Sequence, residues 1–122
     1  MIRITFCLRR LPGVAPADFH HYWHTEHGPL VAGFAATLGI KRYVQAHATA
    51  PELGAALRSR RGTTEPFDGV AEIWYEDLAH CTAAGATPEG RAALGALIED
   101  ERRFIDFSRS SIFVTEEKVI VG

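Results

Sequence analysis

A strand that is apolar on both faces must be covered twice, and the segment FDGVAEIWYED at residues 67–77 reads as such a strand. One side carries Phe67, Ala71, Ile73 and Tyr75; the other carries Val70 and Trp74, with Glu72 between them. A single layer of helices can serve only one of these rows. The second row needs another layer, from this chain or from a second copy of it.

The rest of the chain supplies one layer. From Ile2 to Arg10 the even positions are Ile2, Ile4, Phe6 and Leu8 and the odd ones Arg3, Thr5, Cys7 and Arg9, the two-residue period of a strand with one buried face. LPGVAPAD turns the chain, and Pro16 and Asp18 suit the first turn of a helix whose core stripe is Phe19, Trp23, Leu30 and Phe34. Gly39 closes that region, and IKRYVQAHA from Ile40 returns to a strand pattern. Residues 50–66 hold one short helix and then an exposed loop rich in Arg and Thr, spanning 58–64. Residues 77–110 are helical in character, with a break at Gly85–Thr87 and a long helix opened by Pro88 and Glu89. SIFVTEEKVIVG, 111–122, is the last strand.

Strand, helix, strand, strand, helix, strand, with no internal repeat and no long linker, is the split βαβ order. It predicts one α+β domain over 1–122, a ferredoxin-like protomer with a four-stranded antiparallel sheet and helices on one face. The second apolar row of strand three is then expected to meet the same face of another copy, in an isologous homodimer built sheet to sheet.

A net charge of −2, with no helix or strand carrying a one-sided row of Lys and Arg, argues against a nucleic-acid partner. The alternating start, MIRITFCLRR, lacks the apolar core of a signal peptide, and no stretch approaches the ~20 apolar residues of a membrane span. The expectation is a cytoplasmic protein without a membrane partner. Cys7 and Cys81 fit neither a metal knuckle nor a redox pair and read as reduced structural thiols.

Six blocks in order, ITFCLRR at 4–10, FHHYWHTEHGPLV at 19–31, KRYVQAH at 41–47, FDGVAEIWYED at 67–77, PEGRAAL at 88–94 and FIDFSRSSIFVTEE at 104–117, resemble the EthD family of the dimeric α/β-barrel superfamily. The resemblance implies a homodimer whose sheets form a barrel, and a cavity between sheet and helices that holds a small organic molecule. It does not imply one reaction. The superfamily includes lactone isomerases, cofactor-free quinone-forming oxygenases, polyketide cyclases and dehydratases, and haem enzymes, so the chemistry has to be argued from the site.

At about 100° per residue, His27 and His20 lie beside the stripe of helix one, His24 lies further round and His21 nearly opposite. Pro29 cannot donate to the Thr25 carbonyl and biases Gly28 away from helical geometry, so the helix is predicted to end or kink just after His27. In such a last turn the helix dipole favours a protonated ring and burial opposes it, which leaves His27 titrating near neutrality. That suits either acid/base work at the wall of an apolar cavity or capping of the helix's own carbonyls. His27 matches the family's W…H-x-P block, from which the resemblance implies a site role.

Tyr43, Gln45 and His47 share one face of strand two, as a polar pocket wall or an exposed rim, and His47 matches the family's Q-x-H position. Glu72 is either paired across the sheet by Arg3, Arg9 or Arg42 or is a site residue. Trp23 and Trp74 serve either the core or an aromatic wall for a planar ligand. His20, His24 and His27 share a helical arc, but no carboxylate is placed to join them and no haem-binding segment is evident, so no metal and no cofactor is expected.

The sequence therefore predicts a cofactor-independent enzyme that dehydrates, cyclises or isomerises a hydrophobic oxygenated molecule such as an aromatic polyketide or a lactone. His27 and His47 would be catalytic, with Trp23, Tyr43, Glu72 and Trp74 against the substrate. The same residues also fit a cofactor-free oxygenase of a phenol or anthrone, or a binding module that shelters a metabolite without transforming it.

Overall fold

The N-terminal alternation becomes β1 (Ile2–Leu8), the centre of the sheet. It pairs antiparallel with β3 (Gly69–Tyr75) on one side and β4 (Ser111–Glu116) on the other, and β2 (Ile40–His47) pairs with the far edge of β3, giving the order β2-β3-β1-β4. The computed structural model describes residues 1–122. Its register sets Phe6 between Ala71 and Ile112, and Ile73 between Ile4 and Tyr43, so the aliphatic row of β1 shares a face with the polar row of β2. This is the ferredoxin-like α+β fold expected.

The remaining elements are α1 (Pro16–Tyr22), α2 (Gly28–Leu38), α3 (Pro51–Arg61), α4 (Leu78–Ala86) and α5 (Pro88–Glu101). Side-chain caps from Asp77 and Thr87 open α4 and α5, each accepting the backbone N–H three residues on. Arg58, Arg60 and Arg61, expected in a loop, form the last turn of α3, and the loop begins at Gly62. No residue of α3 is buried. The last strand is shorter than predicted. Glu116 already faces Ile2, where β1 begins, so residues beyond it have no partner strand, and Val119, Ile120 and Val121 are exposed.

Two apolar clusters fill the space between sheet and helices. Phe6, Leu8 and Ala71 pack against Phe19, Trp23, Phe104 and Ile105; Val31 and Leu38 of α2 pack against Ala93 and Leu97 of α5. Gly69 permits the first, because a Cβ there would lie 2.5 Å from the Trp23 ring.

The largest departure from expectation lies in helix one. It does not end at Gly28–Pro29: Trp23–His27 form a π turn, in which the Gly28 N–H reaches back to the Trp23 carbonyl, and Gly28 is itself helical at φ −53°, ψ −53°. Widening the turn absorbs the hydrogen bond that proline cannot make. It also advances the register by one residue, so the buried line downstream is Val31 and Leu38, while the predicted Leu30 and Phe34 are only partly buried beside it. His27 consequently sits mid-helix, away from any helix terminus.

The second face of β3 is covered in part from within the protomer. The guanidinium carbons of Arg3 and Arg42 lie 5.3 and 4.7 Å from the centroid of the Trp74 ring, and Trp74 is 8% exposed.

Candidate active site

The π turn delivers His27 into the interior, where it is 4% exposed. Its Nδ1 lies 2.7 Å from Asp100 Oδ2 at the end of α5, and the other oxygen of Asp100 accepts the Tyr22 hydroxyl at 2.5 Å. A carboxylate that accepts from both neighbours fixes the imidazole with its proton on Nδ1, leaving the Nε2 lone pair free. Burial outweighs the support of Asp100 and lowers the His27 pKa from its usual 6.5, so the ring is neutral at pH 7. The capping reading of this histidine fails, since its partner is another helix.

Glu101, the next residue on α5, stands 3.8 Å from His27 Nε2 and has no hydrogen-bonded cation. Burial, then the neighbouring Asp100 charge, pushes its pKa up to about 7. Helix polarity acts in the same sense, since a carboxylate at the C-terminal end of α5 meets the negative end of the dipole.

His27 and Glu101 share the wall of a cavity of about 180 Å³, whose remaining lining is aliphatic and aromatic and includes Trp23, Val31, Tyr43, Ile73, Tyr75 and Leu97. A neutral imidazole presenting a lone pair and a carboxyl that still holds its proton near pH 7 are thus the two proton-handling groups of a hydrophobic chamber.

The polar row of β2 divides. Tyr43 lines the cavity, whereas His47 does not reach it. The His47 ring packs tilted against Trp23 with the centroids 4.3 Å apart, bonds His20 Nδ1 at 2.8 Å and Gln45 Oε1 at 2.8 Å, and has its pKa lowered by burial and then by His20 and His24. Glu72 and Trp74 stand on the opposite face of the sheet, because they alternate with Ala71, Ile73 and Tyr75 on β3. Glu72 is held there by Arg3 at 2.9 Å. Of the six residues singled out from the sequence, the structure brings Trp23, His27 and Tyr43 together at the cavity and leaves His47, Glu72 and Trp74 elsewhere.

Asp100 and Glu101 were not foreseen. A signal exists: Gly90, Ala93 and Leu97 form the buried stripe of α5, and Glu101 falls four residues after Leu97 on the same line. A carboxylate that continues an apolar stripe is an anomaly in itself. No group of three or more His, Cys, Asp or Glu side chains is arranged to hold a metal ion.

The chain is thus an α+β protomer of ferredoxin-like fold with a partly open apolar cavity between sheet and helices. Residues 11–108 match the EthD domain, and the chain belongs to the EthD family. Dehydratase ustZ of Ustilaginoidea virens is 26% identical over 108 residues, which span 86% of this chain and 75% of that one. Solved structures share the fold. An EthD family protein of Bacillus halodurans C-125 matches with a TM-score of 0.62 at 18% identity, covering 97% of this chain and 100% of that one. A dimeric ferredoxin-like protein of Bacteroides fragilis NCTC 9343 matches with a TM-score of 0.60 at 9% identity, covering 95% of each chain.

Proposed function

We propose that the protein is a small biosynthetic enzyme that works without a cofactor and eliminates water from a hydrophobic β-hydroxycarbonyl compound. The observation that carries this reading is the pairing of a neutral His27 Nε2 with the Glu101 carboxyl, 3.8 Å apart in a cavity otherwise lined almost wholly by apolar groups. His27 removes the proton next to the carbonyl, and that C–H electron pair becomes the new C=C bond as the C–O bond breaks. Glu101 gives its proton to the departing hydroxyl, which leaves as water. Imidazolium and carboxylate then face one another, and return of the proton from His27 to Glu101 restores both groups. The relative named as a dehydratase supports this reading.

The working unit is a homodimer closed through the outer sheet face, where Val44 and Val70 are half-covered and Phe113 is exposed, around the buried Trp74; the dimeric ferredoxin-like neighbour supports it. The test is dehydration of cyclic β-hydroxyketones, followed by ultraviolet absorbance of the conjugated product. Turnover that disappears in His27→Ala and in Glu101→Gln is the expected result. Full activity in His27→Ala overturns the assignment, and oxygen uptake during turnover overturns the reaction class.

A further inference from the structure

The hydrogen bonds behind Tyr43 have only one consistent direction. The Trp23 carbonyl can only accept, so the atom of Gln45 that lies 2.8 Å from it is the amide nitrogen. The second proton of that nitrogen goes to Tyr43 Oη at 2.9 Å, and an amide nitrogen cannot accept a proton in return. Gln45 Oε1 is left as an acceptor, which places a proton on His47 Nε2. In neutral His47 the Nδ1 is then a lone pair, and His20 Nδ1–H fills it at 2.8 Å.

Tyr43 Oη therefore accepts from the protein and donates to no other side chain. Its proton is left for whatever occupies the cavity that the ring lines. We infer that Tyr43 is the oxygen-binding subsite of the cavity, its hydroxyl held as a donor toward a carbonyl or enolate oxygen by Gln45, His47 and His20 acting as positioning residues behind it. The ligand class this selects is an apolar ring bearing an acceptor oxygen. Such a donor strengthens as charge grows on that oxygen, which is what proton abstraction beside a carbonyl produces. The chain also gives His47 a place in the chemistry without contact: it reaches the substrate only through Gln45 and Tyr43.

The inference rests on the cavity being the substrate site, and binding tests it without turnover. The probes are 1-tetralone, a ketone that only accepts, and tetralin, the hydrocarbon of the same shape. Binding of both to the wild-type protein, Tyr43→Phe, Gln45→Glu and His27→Ala is followed by calorimetry, and the ketone stretch of bound tetralone by infrared difference spectroscopy. Tyr43→Phe is expected to weaken tetralone about fivefold to tenfold, the worth of one neutral hydrogen bond, and to leave tetralin unchanged. The carbonyl stretch should move to lower wavenumber in wild-type and His27→Ala protein but not in Tyr43→Phe. Gln45→Glu offers the hydroxyl an acceptor on the protein side and should reproduce the Tyr43→Phe result; should that variant not fold, Tyr43→Phe with the infrared shift decides alone. Equal tetralone affinity and an unshifted stretch in wild-type and Tyr43→Phe protein overturn the inference. Binding of neither probe overturns it together with the cavity reading, whereas lost turnover in His27→Ala has no bearing on it.

Discussion

A tryptophan and a glutamate lie on each side of the sheet, and the two sides treat the glutamate in opposite ways. On the outer face Glu72 lies beside Trp74 with Arg3 at 2.9 Å, and the same guanidinium reaches Glu117 at 3.0 Å. There the carboxylate keeps its charge against a cation. On the helix side Glu101 borders the same cavity as Trp23 with no hydrogen-bonded cation, and its proton affinity rises instead, to about 7. A buried carboxyl relieves its desolvation either by pairing or by keeping its proton, and only the second leaves a proton to give away.

The sharpest test of this contrast is the rate of the proposed reaction. His27→Ala and Glu101→Gln should each lower kcat by roughly 10²–10⁴-fold, the usual worth of one acid or base, while Glu72→Gln leaves kcat within about twofold. The pH dependence follows from the same two groups. Activity should fall above about pH 7 as Glu101 ionises, and should fall on the acid side, below 6.5, as His27 takes up a proton. A profile flat from pH 5 to 9 would break the contrast outright.

Stability should respond with the opposite sign from activity. Glu101 has a folded pKa raised above its unfolded value of 4.5, so the stability it contributes is present in full below pH 4.5 and is lost as pH rises through about 7. At pH 8 Glu101→Gln should therefore be more stable than the wild-type protein by up to roughly 3 kcal/mol, with no gain at pH 4, read from urea midpoints at each pH. On the outer face the measurable quantity is association. Trp74→Ala should weaken the proposed dimer by about 2 kcal/mol, seen in sedimentation equilibrium, without altering the cavity. The smallest effect belongs to Glu72→Gln, whose half-exposed ion pair is worth less than about 1 kcal/mol of folding stability.

The sheet was legible because the two-residue alternation of β1 and β3 survives into the structure residue for residue, and the break before α5 because Thr87 and Pro88 are local start signals that tertiary contacts do not override. The π turn was not. Gly28–Pro29 announces only that an α-helical hydrogen bond is missing, and an end, a kink or a widened turn all answer that. The choice is made by distant groups, Gln45 on the Trp23 carbonyl and Asp100 on His27. The site was half legible for a similar reason. His27 advertises itself beside the apolar stripe of its helix, and Tyr43 in a polar row whose face fits either a pocket wall or an exposed rim. Glu101 sits in IEDERR, where one acid among charged neighbours reads as solvated surface until the helix phase is followed back to Leu97.

The widened turn at Trp23–His27 also bears on how such a chain can vary. Positions four apart on an α-helix drift by about 40° per step, so a line through Phe19, Trp23, His27 and Val31 would spiral off the sheet in an unbroken helix. The π turn resets that drift once, which is what a single inserted residue does to a helix. Changes upstream of it remodel the aromatic cluster around Phe19, and changes downstream remodel the cavity wall at Val31, with neither having to keep phase with the other. One spare residue thus makes a single helix behave as two independently evolvable segments, with His27 at the seam.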